Sequence, residues 1–253
     1  MRAFGFSTGA VAFGDFAKGL QLARSATTGA PSVELSALRE AELEPLLCAL
    51  PSLDLSPFAY VSVHAPSQYG PAAEREIAQA LLTRTQEFNI IIHPDAIWNF
   101  EFWQPFGSRL CVDNMDKRKP RGRNCRELDA VFEELPEASF CLDIGHSRQV
   151  DPTMAETREM LRRFGTKLRQ VHLSEVTSSC QHEKLSLAAI MAFHSVAAIV
   201  PEQIPIILES VMGNPPTLQE MTEEIERAQR ALPLAEAGSR ERSRSGLAAL
   251  AHA

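Results

Sequence analysis

Eight short runs of β-branched, aromatic and other apolar residues recur along this chain at nearly constant spacing. They are Ala3–Ser7, Ser32–Ser36, Tyr60–His64, Asn89–His93, Arg109–Asp113, Ser139–Asp143, Leu168–His172 and Ile204–Glu209. Successive runs start 29, 28, 29, 20, 30, 29 and 36 residues apart. Strands that alternate with helices form a parallel sheet, because parallel strands need a crossover between them. No LxxLxL-type consensus of a solenoid recurs, so we predict an α/β fold in which eight βα units close into a (β/α)8 TIM barrel.

The segments between the runs have the periodicity of amphipathic helices. Glu74–Phe88 has an apolar side and a charged side, and similar spacing is found in Cys125–Leu135, Thr153–Phe164 and Thr217–Leu232. A chain of 253 residues is long enough for one such barrel. We predict a single catalytic domain over residues 1–235 and a loosely attached tail over 236–253, where the composition shifts to EAGSRERSRSG.

Composition and charge exclude several classes of protein. With 45% hydrophobic and 23% charged residues, the chain is typical of globular domains and unlike disordered or collagen-like ones. A net charge of −7 argues against a protein whose whole surface binds nucleic acid or anionic lipid. Five scattered cysteines without a CxxC pair indicate reduced thiols. Because we find no signal peptide and no bilayer-spanning stretch, we predict a cytoplasmic protein without a membrane partner.

Imidazoles and carboxylates stand where the predicted strands end. The residues in question are His64, His93, Asp113, Asp143, His146, His172 and Glu209. Parallel strands that are buried on both faces normally read as continuous apolar runs, so these endings are unusual. In a closed barrel the strand ends meet at one mouth, where barrel enzymes have their active sites. Crowded carboxylates repel one another unless a cation lies among them, and a mixed His/Asp/Glu set suits Zn, Mn, Fe or Co. The alternative, that each residue only caps its own strand, is less convincing for so many together.

These endings also carry a family resemblance. The series VSVHAP, IIIHPD, VDNMD, LDIGHS, VHLSE and IILES resembles the xylose-isomerase-like TIM-barrel superfamily over roughly residues 3 to 232. That superfamily includes endonuclease IV, the family-2 apurinic/apyrimidinic endonucleases, and many sugar-phosphate isomerases and epimerases. The resemblance is specific for the superfamily and not for one activity within it.

The resemblance implies a central metal held by four residues, which are Asp113, Asp143, His172 and Glu209. In the isomerases and epimerases, the acids that match Asp113 and Glu209 also transfer a proton. The residue that matches His146 contacts the substrate. Here the fifth run ends in VDN where VEN is commoner, so Asp113 is one methylene shorter than the usual Glu.

The endonuclease branch implies two further ions. His64 and His93 match the ligands of one of them, and His146 together with an Asp-x-His pair matches the ligands of the other. Here that pair reads Cys180-Gln181-His182, and a thiolate can also bind zinc. The alternative for His182 is an exposed loop residue. We therefore expect one to three divalent ions of Zn, Mn or Co.

A basic segment directly follows the fifth run. Residues Asp116–Arg126 contain six basic side chains and one acidic one. A basic loop beside a metal cluster suits a phosphate group, on a sugar or on a nucleic-acid backbone. We predict that Lys117, Arg118, Lys119 and Arg121 bind phosphate, and a solvated surface loop is the alternative.

Two other acids lie near strand ends. Glu34, in the second run, either reaches the mouth or has an outward or supporting position. Glu175 follows His172 and is interpreted as support for the site. His194 is predicted to be a structural residue inside a helix.

The leading functional hypothesis is a divalent-metal-dependent sugar or sugar-phosphate isomerase or epimerase. Glu209, with Asp113 or another acid opposite, would remove and return a proton, and His146 would orient a substrate oxygen. Only one basic loop is visible, which favours a small substrate over DNA. The resemblance also allows a homodimer.

The alternative is an endonuclease IV-like phosphodiester hydrolase with a multinuclear metal site, in which His64, His93 and His182 are additional ligands. Nucleic acid is a partner only under this alternative. A third hypothesis, an inactive metal- or sugar-binding barrel, stays open because Asp113 and Cys180 depart from the superfamily pattern.

Overall fold

Eight parallel strands close into a barrel in the computed structural model, which describes residues 2–27 and 31–234. The barrel strands are β1 (Phe4–Ser7), β2 (Ser32–Ser36), β3 (Tyr60–His64), β4 (Asn89–Ile92), β5 (Leu110–Asp113), β6 (Ser139–Asp143), β7 (Leu168–Leu173) and β10 (Ile206–Leu208), and two further short strands are β8 (Glu175–Val176) and β9 (His182–Glu183). Strand β10 pairs with both β7 and β1 and so closes the barrel. Strands β8 and β9 form a separate antiparallel pair. The predicted (β/α)8 barrel is confirmed, and the predicted tail at 236–253 lies outside the described residues.

Helices flank the barrel. They are α1 (Thr8–Ala12), α2 (Phe16–Ala26), α3 (Glu40–Ala49), α4 (Glu74–Arg84), α5 (Cys125–Glu134), α6 (Ile144–Val150), α7 (Ala155–Phe164), α8 (Leu187–His194) and α9 (Leu218–Ala231). The four predicted helices are present as α4, α5, α7 and α9, with ends that differ by up to four residues. Side-chain caps fix the first residue of two of these helices. Asn124 caps α5, and Thr217 forms a capping box with Glu220 at the start of α9. None of the helices in the described part combines the length and hydropathy that a bilayer crossing needs.

The aromatic segment after β4 forms short 3-10 turns instead of a regular helix. The turns are Pro94–Ala96, Phe100–Phe102 and Gln104–Arg109. The buried carboxylate of Glu74 anchors the segment, accepting hydrogen bonds from the Trp103 indole at 2.9 Å and from the backbone N–H of Trp98 at 2.7 Å. Trp103 and Phe106 are buried and Phe100 and Phe102 pack against the core, whereas Trp98 is exposed.

Side chains that face the barrel interior are unusually polar. Residues two apart on a strand point to the same face, which places Ser62 with His64 on β3 and Gln170 with His172 on β7. A small apolar cluster, separate from the main core, consists of Ile91, Cys111 and Cys141. TIM barrels normally fill these layers with branched apolar residues, so polar groups in this position need partners inside the barrel.

Candidate metal centre

Four strand ends bring the predicted central ligands together. Asp113 ends β5, Asp143 ends β6, His172 lies on β7 and Glu209 follows β10. His172 Nδ1 lies 3.3 Å from Asp113 Oδ2 and 3.6 Å from Glu209 Oε1. One donor atom each from Asp143, His172 and Glu209 lie within 4.8 Å of one another. These three residues form the central donor group, and Asp113 lies beside it.

A second donor group consists of His64, His93 and Asp113, with donor atoms within 4.8 Å of one another. His93 Nε2 lies 3.9 Å from Asp113 Oδ2, and the two imidazole rings are 4.8 Å apart in an edge-to-face arrangement. Nδ1 of His64 donates to the Ala65 carbonyl at 2.8 Å, since a carbonyl can only accept. This hydrogen bond leaves Nε2 of His64 free to bind a metal.

A third donor group consists of Asp143, His146 and His182. Asp143 is the N-cap of α6 and accepts from the backbone N–H of His146 at 2.7 Å, which places the His146 ring beside the carboxylate. The short β8–β9 hairpin returns His182 to the mouth, where its Nε2 lies 3.3 Å from Nε2 of His146. His182 is therefore part of the site in this structure and not a distant loop residue.

Cys180 lies beside the third donor group but is not one of its donors. Its thiol accepts a hydrogen bond from Gln149 Nε2 at 2.6 Å, and its backbone has a φ of 59°, in the left-handed region. Within the described part of the chain, the donors grouped with Asp143 and His146 come from His182 and not from Cys180. Of the Cys180-Gln181-His182 segment, only the imidazole of His182 is a donor of this group.

Burial and crowding perturb the titration of these groups. Burial raises the pKa of Glu209 to about 8, and neighbouring carboxylates add to the effect while His172 opposes it. Burial also raises the pKa of Asp113. Burial, together with nearby His146, lowers the pKa of His182 to about 4. Acids and imidazoles crowded in this way are stabilised by a bound cation, which compensates the buried negative charge of the ionised carboxylates.

Buried atoms without partners show that the residues fit a metal. Both oxygens of Asp113, Oδ2 of Asp143 and Nδ1 of His172 have no hydrogen-bond partner among the described residues. A buried polar group left unsatisfied costs about 1–3 kcal/mol. Because these oxygens and nitrogens converge on the mouth, divalent ions would satisfy them, and the donor set suits Zn, Mn or Co.

A cavity of about 280 Å³ opens over the donor groups. Of the four basic residues predicted to bind phosphate, Arg118 and Lys119 line it. Lys119 Nζ lies 2.8 Å from Asp95, and Arg118 is paired with Asp116 at 3.1 Å. A larger cavity, about 690 Å³, lies between the start of β1 and α9 and contains none of the metal donors.

The other two basic residues are placed differently. The Lys117 side chain is exposed and is not part of the cavity lining. Arg121 donates to the Ile97 carbonyl and lies 5.5 Å from the centre of the Phe100 ring. Arg121 thus holds the aromatic segment, while Lys119 and Arg118 face the site.

One acid that the sequence left undecided contacts a predicted ligand. Glu34 lies in the middle of β2, fully buried, with Oε2 3.0 Å from His172 Nε2. The alternation of Ser32, Glu34 and Ser36 on one strand face was a signal that this acid points inward.

Glu175 and His194 lie outside the donor groups. Glu175 is paired with Arg148 at 3.1 Å and accepts from the Ser186 backbone N–H at 2.9 Å, which ties the hairpin to α8. His194 ends α8, with Nδ1 3.2 Å from the Arg230 carbonyl, in agreement with a structural role.

Solved structures share this fold. The chain has a TM-score of 0.58 and 17% identity to endonuclease IV from Thermus thermophilus, covering 91% of this chain and 98% of that one. It has a TM-score of 0.61 and 9% identity to the IolI protein with a bound zinc atom, covering 92% and 98%. It has a TM-score of 0.51 and 15% identity to L-ribulose 3-epimerase, covering 100% and 99%.

This chain has the same barrel fold as these structures. At such identities the likeness shows the fold alone. No protein-family model matches the sequence, and the comparison with curated proteins gives no significant match.

Proposed function

We propose that this protein is a divalent-metal-dependent phosphodiester hydrolase with a multinuclear metal site. The observation that carries this proposal is the third donor group. Nε2 of His182 lies 3.3 Å from Nε2 of His146, and neither histidine belongs to the central donor group. An isomerase that moves one proton needs the central group alone. Three adjoining donor groups suit the displacement at phosphorus that several metal ions assist.

The three donor groups would hold up to three ions. Asp143 belongs to both the central and the third donor group, and Asp113 of the second group lies 3.3 Å from His172 of the central group. Ions bound there would lower the pKa of a bound water and neutralise negative charge on the phosphate. Both carboxylates are buried, so their charges are poorly solvated without a cation.

The residues of the cavity wall have the properties to bind an anionic substrate. Lys119 and Arg118 line the cavity that His64, His146 and Glu209 also line. Their charges would hold a phosphate over the donor groups. The Asp95 and Asp116 partners keep these two side chains in place before substrate arrives. In the hydrolysis, a water oxygen would attack phosphorus while the bond from phosphorus to the leaving oxygen breaks.

The test begins with metal-free protein loaded separately with Zn, Mn and Co. We expect two or three ions per chain and cleavage of a duplex that contains one abasic site, with little cleavage of the intact duplex. Glu209→Gln removes a ligand of the central group and should abolish cleavage. His194→Ala, a change of similar kind away from the mouth, should not. One ion per chain together with no cleavage of any phosphodiester would contradict the proposal.

A metal-dependent isomerase or epimerase is the second candidate, because the cavity is small. Its volume of about 280 Å³ is at the low end of the ~300–1,000 Å³ typical of ligand pockets and suits a single sugar. Asp113 and Glu209 both approach His172 within 3.6 Å, as a pair of proton-transfer acids would. Uptake of deuterium from solvent into ketose or ketose-phosphate substrates, with a single ion bound, would favour this candidate.

A further inference from the structure

The cavity over the donor groups has a basic side and an apolar side. Arg118 and Lys119, the basic residues of its lining, come from the segment after β5. The large apolar side chains of its lining that solvent reaches are Phe13, Leu38 and Val211, which come from the segments after β1, β2 and β10. Strands β2 and β10 flank β1, and β5 is four strands away from β1 in either direction around the closed barrel. The basic and apolar side chains therefore enter the cavity from opposite sides.

Phe13 is the most exposed of these apolar side chains. Its ring is 46% exposed and lies outside the hydrophobic core that the described residues form. Its backbone is in the left-handed region, with a φ of 50° and a ψ of 47°, where it ends α1. Glycine or asparagine is usual at such a helix end, and a bulky residue there is uncommon. Packing of the fold thus gives no reason for an aromatic ring at this position.

The turn around Phe13 is well defined. The backbone N–H of Phe13 donates to the Gly9 carbonyl at 3.2 Å, and the next residue, Gly14, also has a positive φ, of 97°. Asp15 then caps α2 by accepting from the Lys18 backbone N–H at 3.0 Å. Residues held in rarely populated backbone conformations are concentrated at ligand sites, where the surrounding structure keeps them in place. The turn fixes the Phe13 ring at the cavity.

A nucleotide has the two chemical groups that the two sides of the cavity suit. Its phosphate is an anion of the kind that Arg and Lys bind. Its base is a flat ring, and every nucleobase has a π face that can stack on an aromatic side chain. One sugar joins these two groups, so they lie at opposite ends of a small molecule. A sugar phosphate without a base has no group that would stack on Phe13.

We propose that Phe13 is a specificity-determining residue that stacks on a nucleobase of the substrate while Arg118 and Lys119 hold its phosphate. The inference rests on the proposed function for the phosphate and adds the class of molecule that carries it. That class is a phosphate ester of a nucleoside, either as a free nucleotide or within a nucleic-acid strand. Phe13 thus separates such substrates from sugar phosphates that have no base.

Equilibrium binding to the zinc-loaded full chain, measured by titration calorimetry, tests this role. The probes are adenosine 5′-monophosphate and ribose 5-phosphate, which share the sugar phosphate and differ by the base. We expect the unchanged protein to bind adenosine monophosphate about 5–100-fold more tightly, the ratio that one stacked base gives. Phe13→Ala should lose this preference and keep the affinity for ribose 5-phosphate within about threefold.

Three further variants separate stacking from other effects. Phe13→Trp keeps a flat ring and should keep the preference for adenosine monophosphate. Phe13→Leu is apolar but not flat and should lose most of it. Trp98→Ala is the matched control, because Trp98 is another exposed aromatic residue, at 59%, but is not part of the cavity lining. The preference should be unchanged in that variant.

A short single strand distinguishes the two sources of the base. If the base belongs to a nucleic-acid strand, a thymidine trinucleotide should bind more tightly than thymidine monophosphate. If it belongs to a free nucleotide, the order should be reversed. In both cases Phe13→Ala should weaken the tighter of the two complexes.

Equal affinity of the unchanged protein for adenosine monophosphate and ribose 5-phosphate would overturn the inference. A preference that Phe13→Ala or Phe13→Leu keeps in full would overturn it as well. Failure of the proposed function has a different signature. Nucleotide binding that depends on Phe13, without cleavage of any phosphodiester, would contradict only the reaction. Cleavage together with a base preference that does not depend on Phe13 would contradict only the stacking role.

Discussion

The Nε2 atoms of His146 and His182 lie 3.3 Å apart, although the two residues reach this point from α6 and from the β8–β9 hairpin. Nδ1 of His146 is 2.9 Å from the Asn114 carbonyl and must donate to it, so Nε2 of a neutral His146 has a lone pair. Nδ1 of His182 lies 2.8 Å from the Ser174 hydroxyl. Two imidazoles held in this way converge on one point, as ligands of a shared cation do.

Removing His182 should therefore remove one ion and leave the others. We expect His182→Ala to bind one ion fewer per chain than the unchanged protein, measured by elemental analysis after dialysis. The central donor group does not include His182, so its ion should be retained. His194→Ala is the control. Equal stoichiometry in His182→Ala and the unchanged protein would show that the third donor group binds no metal.

Metal binding should become tighter as the pH rises. The pKa of Glu209 in the metal-free protein is raised from an ordinary value of ~4.3 to about 8, so below pH 8 its carboxyl is largely protonated. A metal must displace that proton, and the apparent Kd should fall by about tenfold per pH unit for each proton displaced. We expect this fall between pH 6 and about 8 and a smaller slope above, measured by chelator competition. A Kd that is constant over this range would contradict a protonated Glu209.

Neutralising Asp113 should stabilise the metal-free protein. Burial raises the pKa of Asp113, so its charged form is unfavourable without a cation nearby. We expect Asp113→Asn to raise the metal-free Tm by about 2–4 °C, equivalent to ~1 kcal/mol, and to lose the further rise that added Zn produces. Asp129→Asn, which changes a half-buried acid paired with Arg163 at 2.7 Å on the outside of the barrel, is the control. A lower metal-free Tm in Asp113→Asn would show that the ionised carboxylate stabilises the fold.

Lys119 and Lys117 should differ although they belong to the same basic segment. Lys119 lines the cavity, whereas Lys117 is exposed away from it. If phosphate binds at the mouth, Lys119→Ala should lower kcat/KM for a phosphodiester by about tenfold, or ~1.4 kcal/mol. The loss should be mainly in KM, and Lys117→Ala should be nearly unchanged. Equal losses in both variants would indicate general attraction by the segment and not a specific contact.

One cysteine should react far faster than the others with an aromatic disulfide reagent. Cys48 is exposed, whereas the remaining four thiols are buried. Burial raises the pKa of Cys111 and of Cys125 to about 12, so their thiolate forms are scarce at neutral pH. We expect one fast thiol per chain, lost in Cys48→Ser. A second fast thiol would identify Cys180 at the mouth as accessible.

The position of the central donor group at the mouth was predictable, because a parallel barrel brings all its strand ends to one mouth. Asp113, Asp143 and His172 needed only the correct strand boundaries, and those are marked by the apolar runs. His182 was less predictable, because its position depends on a two-residue antiparallel pairing, His182 opposite Val176, which the sequence pattern does not indicate. The different positions of the basic residues were unpredictable for a similar reason. The conformation of the turn places Lys119 in the cavity wall and the Arg121 side chain against the Ile97 carbonyl.

The sequence by itself determined the number of barrel strands, the closure of the barrel and most of the residues at its mouth. These follow from repeat spacing and from the alternation of faces, which are local properties of the chain. Only the tertiary structure decided that Glu34 holds His172, a residue 138 positions away, and that His182 joins His146. Both contacts depend on strand register and loop conformation across the barrel, and neither of these can be predicted from the spacing of residues along the chain.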